Sequence, residues 1–177
     1  MTDARLAALI ARVRDVPDFP KPGILFRDLT PLLADGPAFR QTIELLAERA
    51  GQFRPDLVVA VESRGFIFGA PVAAALQIGF APVRKPGKLP WKTLSRSYAL
   101  EYGSDTLEIH SDALIAGARA VVVDDLLATG GTAGATVELV RELGGVVVGA
   151  SFVVELAALG GRARLSGVAV DSLIIYR

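Results

Sequence analysis

The chain has no cysteine and only one histidine, His110, among its 177 residues. Without cysteine there is no disulfide framework and no thiolate metal site, an absence that permits the cytosol without specifying it. A single histidine excludes a multi-histidine metal centre and leaves a Ser-His catalytic pair possible only through His110, which reads more simply as a surface residue. Net charge is also missing: 19 Lys and Arg balance 19 Asp and Glu, so a polyanion such as nucleic acid is not the expected partner. No stretch approaches the roughly 18 to 20 uninterrupted apolar residues of a membrane span. The opening MTDARLAALIARV lacks a signal-peptide core and cleavage site and reads as an amphipathic helix behind Asp3. These absences predict a soluble, cytoplasmic protein that engages neither membrane nor nucleic acid. The length suits a single domain over residues 1–177, one able to bury about 70% of its unfolded surface without a covalent staple.

What the chain does carry is concentrated in residues 121–132, VVVDDLLATGGT. Three β-branched residues read as a buried strand whose end delivers Asp124 and Asp125 to the sheet edge, where open α/β folds bind ligands. Thr129, Gly130, Gly131 and Thr132 then precede a helical pattern from about Ala133, so uncovered backbone N–H groups and the positive helix end converge on an anion. Carboxylates for hydroxyls beside a cradle for phosphate suit a sugar phosphate. The plainer alternative is a strand-to-helix turn with aspartate caps. A second anion signal is the lysine distribution: three of the four lysines (Lys85, Lys88 and Lys92) fall within eight residues beside Arg84. Lys92-Thr93 is not a Walker motif, because Trp91 stands where that motif needs glycine.

Around this centre, residues 17–33 are punctuated by proline and glycine and read as a largely irregular crossing. Asp35 should cap a helix to about Ala50. Strands are expected at 56–62, 79–84, 120–124, 146–154 and 172–176, with helices at 63–77 and 133–143. After a loop at 85–96, SYALEYG and DTLEIH look like two antiparallel strands turning near Gly103. Alternating strands and helices predict an α/β fold with a mostly parallel central sheet flanked by helices, and the antiparallel insertion is where a lid would attach.

The 121–132 string resembles the phosphoribosyl-pyrophosphate (PRPP) motif of type I phosphoribosyltransferases: an apolar strand, two acidic residues and a small-residue loop ending in TGGT. The resemblance implies that Asp124 and Asp125 hold the ribose 2′ and 3′ hydroxyls, and that Ala128, Thr129, Gly130, Gly131 and Thr132 hold the 5′-phosphate. Four further segments, FPKPGILFRDLTPLL, ESRGFIFGAPVA, RKPGKLP and LEYG, resemble the adenine phosphoribosyltransferase family in its own order, with VELAALGGRARL as a weaker match. Together they span nearly the whole chain.

That resemblance implies a type I phosphoribosyltransferase fold with a flexible antiparallel flap at about 85–110 and a small hood. It also implies purine salvage, with adenine and PRPP as substrates and AMP and diphosphate as products. Phe26 would pack on the purine face while backbone groups around Leu25 and Arg27 read the adenine edge. Ser63, Arg64, Arg84, Lys85 and Lys88 would hold pyrophosphate, with a cis peptide near Ser63. Glu101 would be the acid/base group near the purine. Mg²⁺ would be held mainly through PRPP, with no dedicated protein metal site. A homodimer is implied, and in some members the residue matching Arg84 reaches the neighbouring subunit's site. Pro86 and Trp91 depart from the family pattern, which has a basic or polar residue and a proline at these positions in many members. Each assignment has a structural alternative: Phe26 as a core aromatic, Arg64 as a surface ion-pair partner, 84–88 as a solvated basic loop, Glu101 as a solvent-facing strand residue. Two other functions also fit: a phosphoribosyltransferase for another base, and a non-catalytic PRPP-sensing regulator of the same fold.

Overall fold

The computed structural model describes residues 4–99 and 104–177, and they fall into two compact units divided between Leu45 and Leu46. In the first unit, α1 (Ala4–Ile10) buries Leu9. β1 (Arg14–Pro17) and β2 (Leu25–Asp28) pair antiparallel, with Val16 opposite Phe26. The turn between them is closed by the Gly23 N–H donating to Asp18 at 2.8 Å, with Gly23 at φ +86°, a conformation glycine adopts without penalty. α2 (Thr30–Ala34) has proline in its first turn, where the missing N–H would have had no intrahelical partner. Residues 17–33 are therefore more regular than the expected crossing. β2 is four residues long with no clean alternation, and what makes it a strand is its pairing with β1, a non-local interaction that local pattern cannot reveal. α3 (Gly36–Gly51) begins as expected behind Asp35, whose carboxylate accepts the Ala38 N–H at 3.1 Å.

The second unit is built on a five-stranded, wholly parallel sheet in the order β4-β3-β7-β8-β9. Its strands are β3 (Leu57–Val61), β4 (Gly79–Val83), β7 (Arg119–Leu127), β8 (Val146–Leu156) and β9 (Val170–Tyr176). β3 is buried at every position, as a continuous apolar run in a two-sided parallel sheet must be. α4 (Arg64–Leu76) follows β3, and α5 (Gly131–Glu142) follows β7. From β3 the chain proceeds outward to β4, whereas from β7 it proceeds the other way to β8 and β9. The carboxyl ends of β3 and β7 thus flank the point where strand order reverses, the place where such sheets open a crevice.

Outside this sheet, β5 (Thr93–Ala99) and β6 (Ser104–His110) form the antiparallel pair expected of the flap, with Ser97 opposite Thr106. β5 begins inside what reads as loop. Leu107 and Ile109 alternate inward and are buried with Val59, Val61, Val83 and Leu139, and Arg84 bridges to Glu108 beyond the end of β4. β6 is accordingly anchored in the core on one face. A second cluster joins Val122, Leu127, Ala133, Val137, Phe152 and Leu165. β7 runs three residues past the expected end at Asp124, and α5 starts two residues before Ala133.

α4 lies close to the sheet because Gly69 has no side chain: a Cβ there would stand 2.5 Å from the Ala60 Cβ and 3.3 Å from the Phe80 ring. Gly69→Ala should destabilise the fold by about 1 to 3 kcal/mol through overpacking. Thermal unfolding followed by circular dichroism should show this as a fall in Tm of roughly 2 to 4 °C per kcal/mol; an unchanged Tm would contradict the packing described.

Candidate active site

A cavity of about 560 Å³ opens at the carboxyl ends of β3 and β7. The turn from β3 into α4 supplies Glu62, Ser63 and Arg64, the segment beyond β4 supplies Lys85, and residues 124–133 form the remaining wall. The Glu62–Ser63 peptide is cis, where the resemblance implied one. α4 can start against β7 only because residue 65 is glycine, since a Cβ would sit 2.6 Å from Asp124 Oδ1. Gly130 caps α5 at φ +79° without any side-chain hydrogen bond to the helix end. The first-turn N–H groups, Gly131 and Thr132 among them, have no intrahelical acceptor and carry the positive end of the helix dipole. The TGGT string leads into α5 as expected, with two of its residues inside the helix rather than before it.

Asp124 and Asp125 are both buried, at 8% and 6% exposure, a placement that water-starved carboxylates tolerate only with compensation. The two are compensated differently. Burial, reinforced by the neighbouring Asp125 charge, pushes the Asp124 carboxyl well above the usual carboxylate range, against the opposing pull of the Asp125 N–H and Arg64. That N–H donates to Asp124 Oδ1 at 2.9 Å. Asp125 instead accepts Arg64 Nε at 2.5 Å, in an ion pair whose arginine side chain is 56% exposed. One wall of the cavity therefore offers a carboxyl whose pKa burial raises beside a carboxyl paired with a cation that solvent can reach. Arg64 is thus an ion-pair partner in this state, and its partner is a cavity residue.

The basic segment is partnered as well. Lys85 Nζ donates to Asp105 Oδ2 at 2.8 Å, and that hydrogen bond is the main reason the lysine is held above and the aspartate below their ordinary pKa values. Arg84 Nε donates to Glu62 Oε2 at 2.6 Å and Nη1 to the Lys88 carbonyl at 3.2 Å. Lys85 lines the cavity; Arg84 and Lys88 are not among its lining residues. The Tyr98 and Thr132 hydroxyls are 3.2 Å apart, tying β5 to the turn at the start of α5. Glu62, Asp105 and Tyr98 in these roles carry no local sequence signal, because each partner lies twenty or more residues away. In the first unit, Leu25 is exposed, and Phe26 is half-buried with its ring edge-on to Phe19 at a centroid distance of 5.1 Å. Arg27 is ion-paired to Asp15. Glu101 lies outside the described residues. Among the described residues no three His, Cys, Asp or Glu are grouped to hold a metal ion, and no helix is long and apolar enough to cross a membrane.

Comparison with known proteins places this geometry. The phosphoribosyl transferase domain family matches residues 30–172. An adenine phosphoribosyltransferase from Carboxydothermus hydrogenoformans is 60% identical over 164 residues, 93% of this chain and 96% of that protein. The crystal structure of adenine phosphoribosyltransferase from Thermoanaerobacter pseudethanolicus superposes with a TM-score of 0.94 at 53% identity, covering 97% of this chain and 99% of that one. The enzyme from Saccharomyces cerevisiae, complexed with an imino-altritol 1,6-bisphosphate and adenine, superposes at 0.92 with 40% identity over 96% and 98% of the two chains.

The buried aspartates generate a pH-dependent prediction. A carboxyl whose folded pKa is raised above the ordinary 3.8 contributes stability that is complete below that value and lost as pH rises through the folded pKa. Asn cannot ionise, so ligand-free Asp124→Asn should match the wild type near pH 3.8. Its Tm should exceed the wild type's by a margin that widens as pH rises and then levels off, by about 2 to 4 °C for each kcal/mol. A pH-independent difference in Tm would contradict the assignment.

Proposed function

We infer the reaction from one premise: this chain belongs to the phosphoribosyl transferase domain family and, within it, to the adenine phosphoribosyltransferases. It is a pentosyltransferase of purine salvage that joins adenine N9 to the ribose C1 of PRPP, giving AMP and diphosphate. The observation that carries this reading is one cavity holding both the Asp124–Asp125 pair and the uncapped start of α5.

In the proposed complex the aspartates bind the ribose 2′ and 3′ hydroxyls. Their carboxyl oxygens can accept hydrogen bonds from such a diol. Ala128, Thr129, Gly130, Gly131 and Thr132 enclose the 5′-phosphate with backbone N–H groups and two hydroxyls. Ser63, Arg64, Arg84, Lys85 and Lys88 take the diphosphate. As the C1–oxygen bond loosens, positive charge develops on ribose and negative charge on the leaving group, and cations preorganised near the latter stabilise the transition state. A unit pair about 4 Å apart is worth roughly 4 kcal/mol at an effective dielectric of 20, so these side chains act most strongly once water is excluded. Arg64 and Lys85 already hold carboxylates, and diphosphate binding exchanges one anion for another.

Phe26 gives the purine a stacking face, while backbone groups of Leu25 and Arg27 read its edge. Hydrogen bonds to the amino group and ring nitrogens supply the discrimination that stacking cannot, since a site built around a polar group rejects an analogue lacking it by about 10⁴-fold. The yeast relative, complexed with adenine and a bisphosphate, supports this choice of base. Glu101 hydrogen-bonds or protonates purine N7 as N9 forms its bond.

Magnesium fits the donor set: carboxyl groups of Glu62, Asp124 and Asp125 line the cavity and would be available to the ion, with most of its oxygens coming from the substrate. When bound, the ion would offset charge on the diphosphate. The same reading carries a cytoplasmic homodimer, in which Arg84 reaches the diphosphate of the neighbouring subunit's site.

Incubating the protein with PRPP and Mg²⁺ against adenine, hypoxanthine, guanine and uracil should release diphosphate with adenine far ahead of the others. Preference for another base would overturn the choice of substrate, and PRPP binding without turnover of any base would favour the regulator. Glu101→Gln should lower kcat by about 10²-fold or more with a modest change in KM; an unchanged kcat would remove Glu101 from acid/base chemistry.

A further inference from the structure

Glu155 is a buried ionisable group that the proposed chemistry does not use. It stands near the end of β8 at 4% exposure. Both its oxygens are engaged by Arg162, with Nε to Oε1 at 2.6 Å and Nη2 to Oε2 at 2.7 Å, and Ser172 Oγ donates to Oε2 at 2.7 Å from β9. Arg162 also donates Nη1 to the Val170 carbonyl at 2.9 Å. A forked guanidinium on a carboxylate fixes orientation as well as distance. Arginine hydrogen bonding is accordingly the leading cause that holds Glu155 below its ordinary pKa despite burial.

What this pair fixes is a short irregular segment between β8 and β9, two 3-10 turns at Ala157–Leu159 and Gly161–Leu165. Gly161, the residue before the arginine, lies backbone to backbone against the start of α5. A Cβ on Gly130 would stand 2.5 Å from the Gly161 carbonyl oxygen, and a Cβ on Gly161 would overlap the Ala128 carbonyl and reach Gly130 N at 3.1 Å. The segment is therefore the floor on which Ala128 and Gly130 rest. Leu165 anchors its far end beside Val122, Leu127 and Ala133, and the Glu155–Arg162 fork anchors it at the residue next to Gly161.

We propose that Glu155 and Arg162 are positioning residues for the 5′-phosphate cradle, acting through Gly161 on the backbone of Ala128 and Gly130. The inference rests on the reading that this turn holds the phosphate of PRPP. Its signature is selectivity: displacing the floor alters PRPP binding, whereas adenine recognition is assigned to other residues.

The test is steady-state kinetics and ribose 5-phosphate competition on Arg162→Ala, Arg162→Lys and Gly161→Ala, with Tm measured for each. Arg162→Ala should raise KM for PRPP by about 10- to 100-fold, the scale on which small misplacements remote from the chemistry act. Ribose 5-phosphate affinity should fall in parallel and KM for adenine should stay within about twofold, against that same scale. Arg162→Lys should fall between, since an ammonium cannot reproduce the fork. Gly161→Ala leaves the ion pair in place and should give the same PRPP-selective defect, so the inference stays testable if Arg162→Ala does not fold. Unchanged KM for PRPP in Gly161→Ala, or equal rises in both KM values alongside a lowered Tm, would overturn it. A separate arm tests the reading beneath it: if the wild type binds ribose as tightly as ribose 5-phosphate, the cradle itself is wrong. If the wild type discriminates between them and Arg162→Ala and Gly161→Ala discriminate equally well, only the positioning role fails.

Discussion

Two carboxyl groups on consecutive residues, both buried near the end of one strand, are the constraint around which the second unit is arranged. Charging both together in such a place is expensive, because burial and mutual repulsion act in the same direction. The fold answers by treating them unequally: Asp124 is biased toward its neutral form and Asp125 is handed to Arg64. In the proposed reaction each compensation is suited to replacement. A diol can hydrogen-bond to the carboxyl oxygens, and diphosphate can draw Arg64 away from its carboxylate. The ligand-free site is thus held in a state whose internal partners stand where substrate groups are to go, and the Lys85–Asp105 pair extends the same principle to the basic segment.

Close backbone approach is the second theme, and it follows from the first. Carboxylates can be buried at a strand end only if something covers them, and the first turn of α4 does so at Gly65. One turn later Gly69 lets the helix body rest on β3. On the other side of the cavity Gly130 and Gly161 bring two irregular segments into backbone contact. A side chain at any of these points would widen a distance that the site depends on. In the proposed complex a turn that presents N–H groups to an anion cannot also use them in its own hydrogen bonds, so its support comes from below, through packing and the Glu155–Arg162 fork.

The sheet was legible in the sequence where its strands carry β-branched runs, as at Val121, Val122 and Val123, and because parallel strands buried on both faces need no alternation to be recognised. The cavity wall was legible where it is contiguous: residues 124–132 carry two aspartates and the TGGT turn in one string, and Ser63 and Arg64 open α4 after β3. Boundaries were read less well. Gly131 and Thr132 have poor helix propensity, so α5 appears to start at Ala133 when judged by pattern, yet tertiary packing begins it at Gly131. β2 depends on β1, and β5 starts at Thr93 because it pairs with His110. The pairs that set the electrostatics, Glu62 with Arg84, Lys85 with Asp105 and Tyr98 with Thr132, join residues twenty or more positions apart and leave no local trace. Composition therefore finds the ligands of such a site more readily than it finds what holds them still.

The account stands on where a phosphorylated ribose sits. A crystal structure of the wild-type protein with AMP tests this most directly. The result predicted is a 5′-phosphate within hydrogen-bond distance of the N–H groups of residues 129–132, and ribose hydroxyls on the carboxyl groups of Asp124 and Asp125. Clear density for the nucleotide elsewhere, with this cavity filled only by solvent, would contradict it.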